Sequence, residues 1–168
     1  MNSTGVTYSD TLKSRLAIGH SGGQEVGLEF IPEALQPAGA LYSTANDLMK
    51  YLSANMDLIK TKINDMLQET HLIRSEYQQP PATRATAELF SSNNKSLSAS
   101  YVGLGWFVDS NLGTEIIQHS GSIDGYSSFM GFNPDKQVGL VELCSCEGAD
   151  MPMEVRESLA AFIIDTLT

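Results

Sequence analysis

Along residues 101–146 apolar and polar positions alternate with the period of two that marks strands. Residues 43–73 instead repeat their apolar positions at helical spacing. Leu48, Met49, Leu52, Met56 and Ile59 form the stripe of the first predicted helix, Asp47 falls in its first turn, and Ser43 or Thr44 can cap it. Pro37-Ala38-Gly39 leads into this helix, and a second helix is predicted over 63–73. Residues 1–35 are mixed and turn-rich, with a short helix expected around 11–18. Residues 78–100 are polar and rich in Pro, Ser and Asn, the composition of a long surface excursion.

Strands are predicted at 103–109, 114–119, 125–132 and 137–146, so that 116–146 reads as three consecutive antiparallel strands. Ser110-Asn111-Leu112-Gly113 reads as a turn. Asn133-Pro134-Asp135-Lys136 suits a type I turn, with Pro134 fixing φ at the second position. The last two strands are apolar on both faces (Phe129 against Met130, Leu140 against Val141), which calls for cover on both sides of the sheet. A closing helix over 153–167, with Val155, Leu159, Phe162 and Ile163 as its stripe, would cover one face. The expected class is α+β: an antiparallel sheet of three to five strands flanked by helices. A helical and loop-rich region at 1–100 precedes the sheet and last helix at 101–168.

At 168 residues and 42% hydrophobic composition, the chain has the size of one domain with a core. No apolar run approaches the roughly 20 residues of a membrane span. The net charge of −10 opposes binding to nucleic acid and to an anionic membrane surface. The first ten residues lack the basic head and apolar middle of a secretory signal. Cys144 and Cys146 fall on one predicted strand and face the same way, a spacing at which the side chains splay and bridge poorly. They read as two buried hydrophobes, and without a nearby His they make a poor metal site.

Four patterns invite a chemical reading. Gly19-His20-Ser21-Gly22-Gly23 fits the G-x-S-x-G nucleophile elbow, which needs a buried strand before the serine, a helix after it and a parallel sheet around it. Only 18 residues precede it, and Gly27 and Pro32 interrupt the segment where the helix should form, so it reads as a chance match. Ser92-Asn93-Asn94-Lys95 fits S-x-x-K, but two asparagines in a Ser-rich loop are poor helix formers, and the helical turn joining serine to lysine is not expected. Tyr51-Leu52-Ser53 and Tyr126-Ser127-Ser128 fit the loose pattern Y-x-S. His119-Ser120-Gly121-Ser122 differs because a strand end is predicted there. Gly121 allows close approach of backbone to an acyl group, the Ser122 N–H can donate to an oxyanion, and His119 can orient a carboxylate or move a proton near pH 7. The His-Ser-Gly echo at 20–22 reads as coincidence.

Taken in order, PAGALYSTANDLMKYL, GLGWFV, HSGSIDGYSSFMGFNPDKQVGLVELCS and the closing apolar helix resemble the C-terminal half of the serine β-lactamase-related family. That family includes class C β-lactamases, D,D-peptidases, D-aminopeptidases and carboxylesterases. The likeness runs over residues 1–168. The resemblance implies three motifs meeting at one site: S-x-x-K as nucleophile and base, Y-x-N or a relative, and K-T-G or H-x-G along a sheet edge. Only the third carries over, onto His119, Ser120, Gly121 and Ser122 as substrate-binding residues. Ser92 and Lys95 lie after the helices that should follow the first motif, and Tyr126 lies after the third. Histidine in the lysine position is more like the esterase and peptidase branches.

The implied fold is a partial β-lactamase/transpeptidase-like one lacking its N-terminal part, with no catalytic set complete in this chain. The implied partner is a small-molecule or peptide acyl substrate, and no metal or cofactor is implied. Many members of that family are exported. A second reading is a non-catalytic module that associates with itself or with a missing N-terminal half. A third is an α/β-hydrolase remnant using Ser21, which requires parallel strands separated by helices.

Overall fold

The computed structural model describes residues 1–7, 9–28, 31–77, 101–110, 115–146 and Ile164. In chain order the elements are α1 (Asp10–Lys13), the hairpin β1 (Gly19–Ser21) and β2 (Gln24–Val26), a 3-10 turn at Glu33–Leu35, α2 (Gln36–Gly39), α3 (Ala45–Asn55) and α4 (Asn64–His71). Then come β3 (Ser75–Glu76), β4 (Tyr101–Val102), β5 (Phe107–Asp109), β6 (Ile116–Ile123), β7 (Tyr126–Asn133) and β8 (Val138–Cys144). Strands β3 to β8 pair in chain order as one antiparallel sheet, confirming the α+β class and the three consecutive strands. Among the described residues the sheet has six strands, more than the three to five expected; β3 and β4 are two residues each, too short to leave a periodic signature.

Helix α3 starts where its capping chemistry directs. The Thr44 hydroxyl accepts from the Asp47 N–H at 3.3 Å. The Asp47 carboxylate accepts from the Ser3 N–H at 2.7 Å and the Thr4 hydroxyl at 3.0 Å, and it meets Lys50 at 3.1 Å. The Ser3 bond, with Lys50 and Thr4 beside it, holds this carboxyl below its ordinary value although burial pushes the other way. Gly5 and Tyr42 exchange backbone bonds at 3.0 and 2.9 Å, so the N-terminal segment is tied to α3.

The buried stripe of α3 is Leu48, Leu52, Asn55 and Met56; Met49 and Ile59 are exposed. Met49 lies about 100° from Leu48 around the helix, and Asp57, with φ of 59°, turns the chain away before Ile59. Helix α4 occupies the core of the range predicted for it. The Asn64 amide donates to the Ala54 and Ile59 carbonyls and to Asp57, which fastens the α3–α4 connection.

Both faces of the sheet are covered. Leu52 and Met56 pack with Trp106, Val108, Ile117 and Phe132 on one face, and Ile116, Phe129 and Ile164 gather with Leu140 on the other. Helix α3 lies so close to β8 that a side chain at Gly139 would collide with Leu52. Ile164 is helical and fully buried, while the rest of the predicted closing helix lies outside the described residues. So do the 78–100 excursion, with Ser92 and Lys95, and most of the 110–113 turn. At the β7–β8 turn the Asn133 side chain accepts from the Lys136 N–H at 2.9 Å, the local bond that favours Asn at that position.

Candidate acyl-binding edge

Strand β6 extends through His119-Ser120-Gly121-Ser122 to Ile123, so these residues lie within the strand and not at its end. The cause is the two-residue turn Asp124-Gly125, a strong hairpin signal, with Gly125 at φ of 77°. On one side β6 is paired with β7 from Ile117↔Phe132 to Ile123↔Tyr126. On the other, β5 pairs only with Ile116, Ile117 and Gln118. Beyond Gln118 no strand lies along that edge among the described residues. Gly105, with φ of 75°, turns the chain from β4 into β5 and so sets where the β5 ladder begins.

The first residue past the ladder is His119, which is exposed. Its Nδ1–H donates to the Ser120 carbonyl at 2.7 Å, and Phe107 lies against the ring with centroids 5.5 Å apart. Tyr77 meets Phe107 edge-on at 5.0 Å. The Nδ1 bond leaves Nε2 as the nitrogen that accepts in the neutral ring and donates in the charged one. Gly121 sits opposite Ser128, whose Oγ would lie 3.1 Å from an added Cβ. The crowding at Gly121 therefore arises inside the sheet. Ser122 is exposed and opposite Ser127.

An apolar groove begins where the edge ends. Ile123 lines it together with Ile31, Pro32, Leu35, Ala38 and Gly39. Sequence reasoning missed these groove residues and Phe107, because no spacing along the chain connects residues 31–39 with 123. The Asp124-Gly125 signal alone could have extended β6 to Ile123.

The β1–β2 hairpin braces the turn from the other side. The His20 N–H donates to the Gly125 carbonyl at 3.2 Å, and the Tyr126 hydroxyl donates to the Ala17 carbonyl at 2.7 Å. Gly22 and Gly23, both with positive φ, form the hairpin tip. Ser21 is thus followed by a turn and a strand, not by the helix an elbow requires, and every pairing between described strands is antiparallel. The α/β-hydrolase reading falls on this topology. Ser53 of the first Y-x-S match bonds the Met49 carbonyl at 2.8 Å within α3, and Tyr51 stacks on Trp106. Tyr126 and Ser128 lie on β7.

One expectation is overturned: Cys144 and Cys146 form a disulfide. Strand β8 ends at Cys144, and the chain bends through Ser145 and Cys146 instead of continuing extended. The Cα atoms are 5.1 Å apart, within the range a bridge needs. Among the described residues no group of three His, Cys, Asp or Glu side chains is placed to hold a metal ion, and no helix is long and apolar enough to cross a membrane.

The family model described as Beta-lactamase matches residues 1–163. A β-lactamase of Lysobacter lactamgenus is 24% identical over 176 residues, covering 95% of this chain and 45% of the relative. Among solved structures, a β-lactamase/D-alanine carboxypeptidase from Pseudomonas syringae superimposes with a TM-score of 0.74 at 18% identity, covering 99% of this chain and 49% of the other. A class C β-lactamase gives 0.72 at 18% identity, over 98% and 47% respectively. The chain thus spans less than half the length of these relatives.

Proposed function

This chain belongs to the β-lactamase family, and from that premise we propose that it is the acyl-binding portion of a serine hydrolase whose nucleophile and base lie outside these 168 residues. The observation that carries the reading is the β6 edge. Among the described residues it lacks a neighbouring strand beyond Gln118, and it runs from exposed His119 to the apolar groove at Ile123.

An amide, lactam or ester lying along that edge would place its carbonyl near the Ser122 N–H, one of the donors an oxyanion needs. Its apolar substituent would enter the groove beside Ile123, and its polar end would meet His119 Nε2. Attack by a serine supplied elsewhere would give an acyl-enzyme, which water then clears. His119, Ser120, Gly121 and Ser122 bind and orient in this scheme. Since nucleophile and base act as a unit, the chain alone has no turnover. A chromogenic cephalosporin and a p-nitrophenyl ester should both stay uncleaved, and a fluorophosphonate should leave the protein mass unchanged. Burst acylation at Ser21 or Ser92 would contradict the proposal.

A second reading, a module that associates with itself or with a complementary N-terminal half, is favoured by one observation. Met49, Leu58, Ile59, Ile63 and Met66 leave apolar surface exposed on and between α3 and α4. Size-exclusion chromatography with light scattering separates the two: association is expected for such a module, and a stable monomer at high concentration counts against it.

A further inference from the structure

The bridge between Cys144 and Cys146 is placed where a local change reaches the β6 edge. Cys144 is in register with Ser127 of β7, and Ser127 is in register with Ser122 of β6. Directly opposed residues share a face of the sheet, so Ser122, Ser127 and Cys144 form a row across three strands. The Ser127 hydroxyl donates to the Cys146 carbonyl at 2.8 Å and lies 3.8 Å from its Sγ. His20 Nδ1–H donates to the Ser145 carbonyl at 3.2 Å, and the His20 N–H donates to Gly125 in the β6–β7 turn. The residues held by the bridge therefore contact β7 directly and reach the turn through the β1–β2 hairpin.

A bridge spanning one intervening residue restricts the unfolded chain far less than one closing a long loop, so its main effect is local. Both cysteines are partly exposed and stand at the strand end, within reach of an attacking thiolate. We propose that Cys144–Cys146 is a thiol–disulfide exchange site, open to a small dithiol or to a redox protein presenting one, and that its state sets the order of the β1–β2 hairpin and the Ser122 end of β6. In the step, a thiolate of the reductant attacks one cysteine sulfur. The Cys–Cys bond breaks, a mixed disulfide forms and the other cysteine leaves as thiolate. The reductant's second thiolate then displaces the first cysteine and departs as a disulfide. In net terms two electrons and two protons pass to the pair. With the bridge open, the Ser145 and Cys146 carbonyls lose the covalent tie that helps orient them toward His20 and Ser127.

Exchange at this pair requires no acyl group at the β6 edge, and its test reads thiol chemistry and not hydrolysis. The full chain is treated with dithiothreitol without denaturant, trapped with iodoacetamide and weighed, while amide hydrogen exchange is measured before and after reduction. Two alkylations per chain are expected. Exchange should speed up by about tenfold or more at Gly19–Val26 and around Ser122–Ser127, and stay unchanged in α3. The double variant C144S/C146S should match the reduced pattern and ignore dithiothreitol. Thiols that appear only after denaturation, or reduction that leaves these amides unchanged, would overturn the proposal.

Discussion

His71 lies on the last turn of α4 with its Nε2–H donating to Asn55 Oδ1 at 2.7 Å, while Trp106 and Phe132 meet the ring edge-on at 5.8 and 5.1 Å. Asn55 in turn donates to the Tyr51 carbonyl and accepts at its own carbonyl from Gln68, so one imidazole joins α3, α4 and the sheet. Burial among aromatic rings disfavours the charged form and lowers its pKa from 6.5 to about 4. The unfolded chain therefore binds the proton more readily across that interval. Stability is at its full value above about 6.5, falls as the pH drops toward 4 and levels off below. Urea midpoints measured from pH 7.5 to 4 should show this decline, and His71→Gln, which cannot titrate, should flatten it. Gly125 is the second sensitive residue. Its φ of 77° disfavours any side chain, and an added Cβ would lie 2.9 Å from the Gly19 Cα. Gly125→Ala should cost about 1–3 kcal/mol in urea unfolding, with amide exchange rising first in the β1–β2 hairpin.

Among the elements, those with long periodic runs or strong end signals were legible in the sequence. Helix α3 announced itself through Thr44, Asp47 and the Leu48–Leu52–Met56 spacing. Thr44→Ala should lower stability by about 1 kcal/mol in the same denaturation assay, because the Asp47 N–H loses its side-chain acceptor. Strands β7 and β8 were legible from their apolar runs and the Asn133-Pro134 turn. Strand β6 was only half legible. Ser120, Gly121 and Ser122 have weak strand propensity, and pairing with β7 overrides it once Asp124-Gly125 sets the register. Strand β3 owes its existence to β4, a partner far away in sequence, and β4 joins it to the nearby β5 through only two residues. Cys144 and Cys146 were misread because their separation on an extended strand forbids a bridge, whereas the bend after β8 permits it. Of the candidate site, His119 to Ser122 could be named from sequence, but the groove at Ile123 depends on residues 31–39 folding back against the strand end.

At the scale of the whole molecule, the chain carries a β-lactamase-family fold and superimposes on solved structures of that kind over less than half of their length. A net charge of −10 fits a well-solvated surface and repels phosphate backbones. Such a chain should elute from immobilised DNA at low salt, and retention that needs high salt would contradict that view.

The claim on which the functional account turns is that an acyl group docks along β6 from His119 to Ile123. Amide-resolved NMR of the isotope-labelled chain, titrated with an N-acyl-D-alanyl-D-alanine, tests it most directly. The account predicts shifts concentrated at His119, Gly121, Ser122 and Ile123, with those at the strand edge lost in Ser122→Pro, which removes the N–H, while α3 resonances stay in place. Shifts that avoid β6, or that persist unchanged in Ser122→Pro, would contradict it.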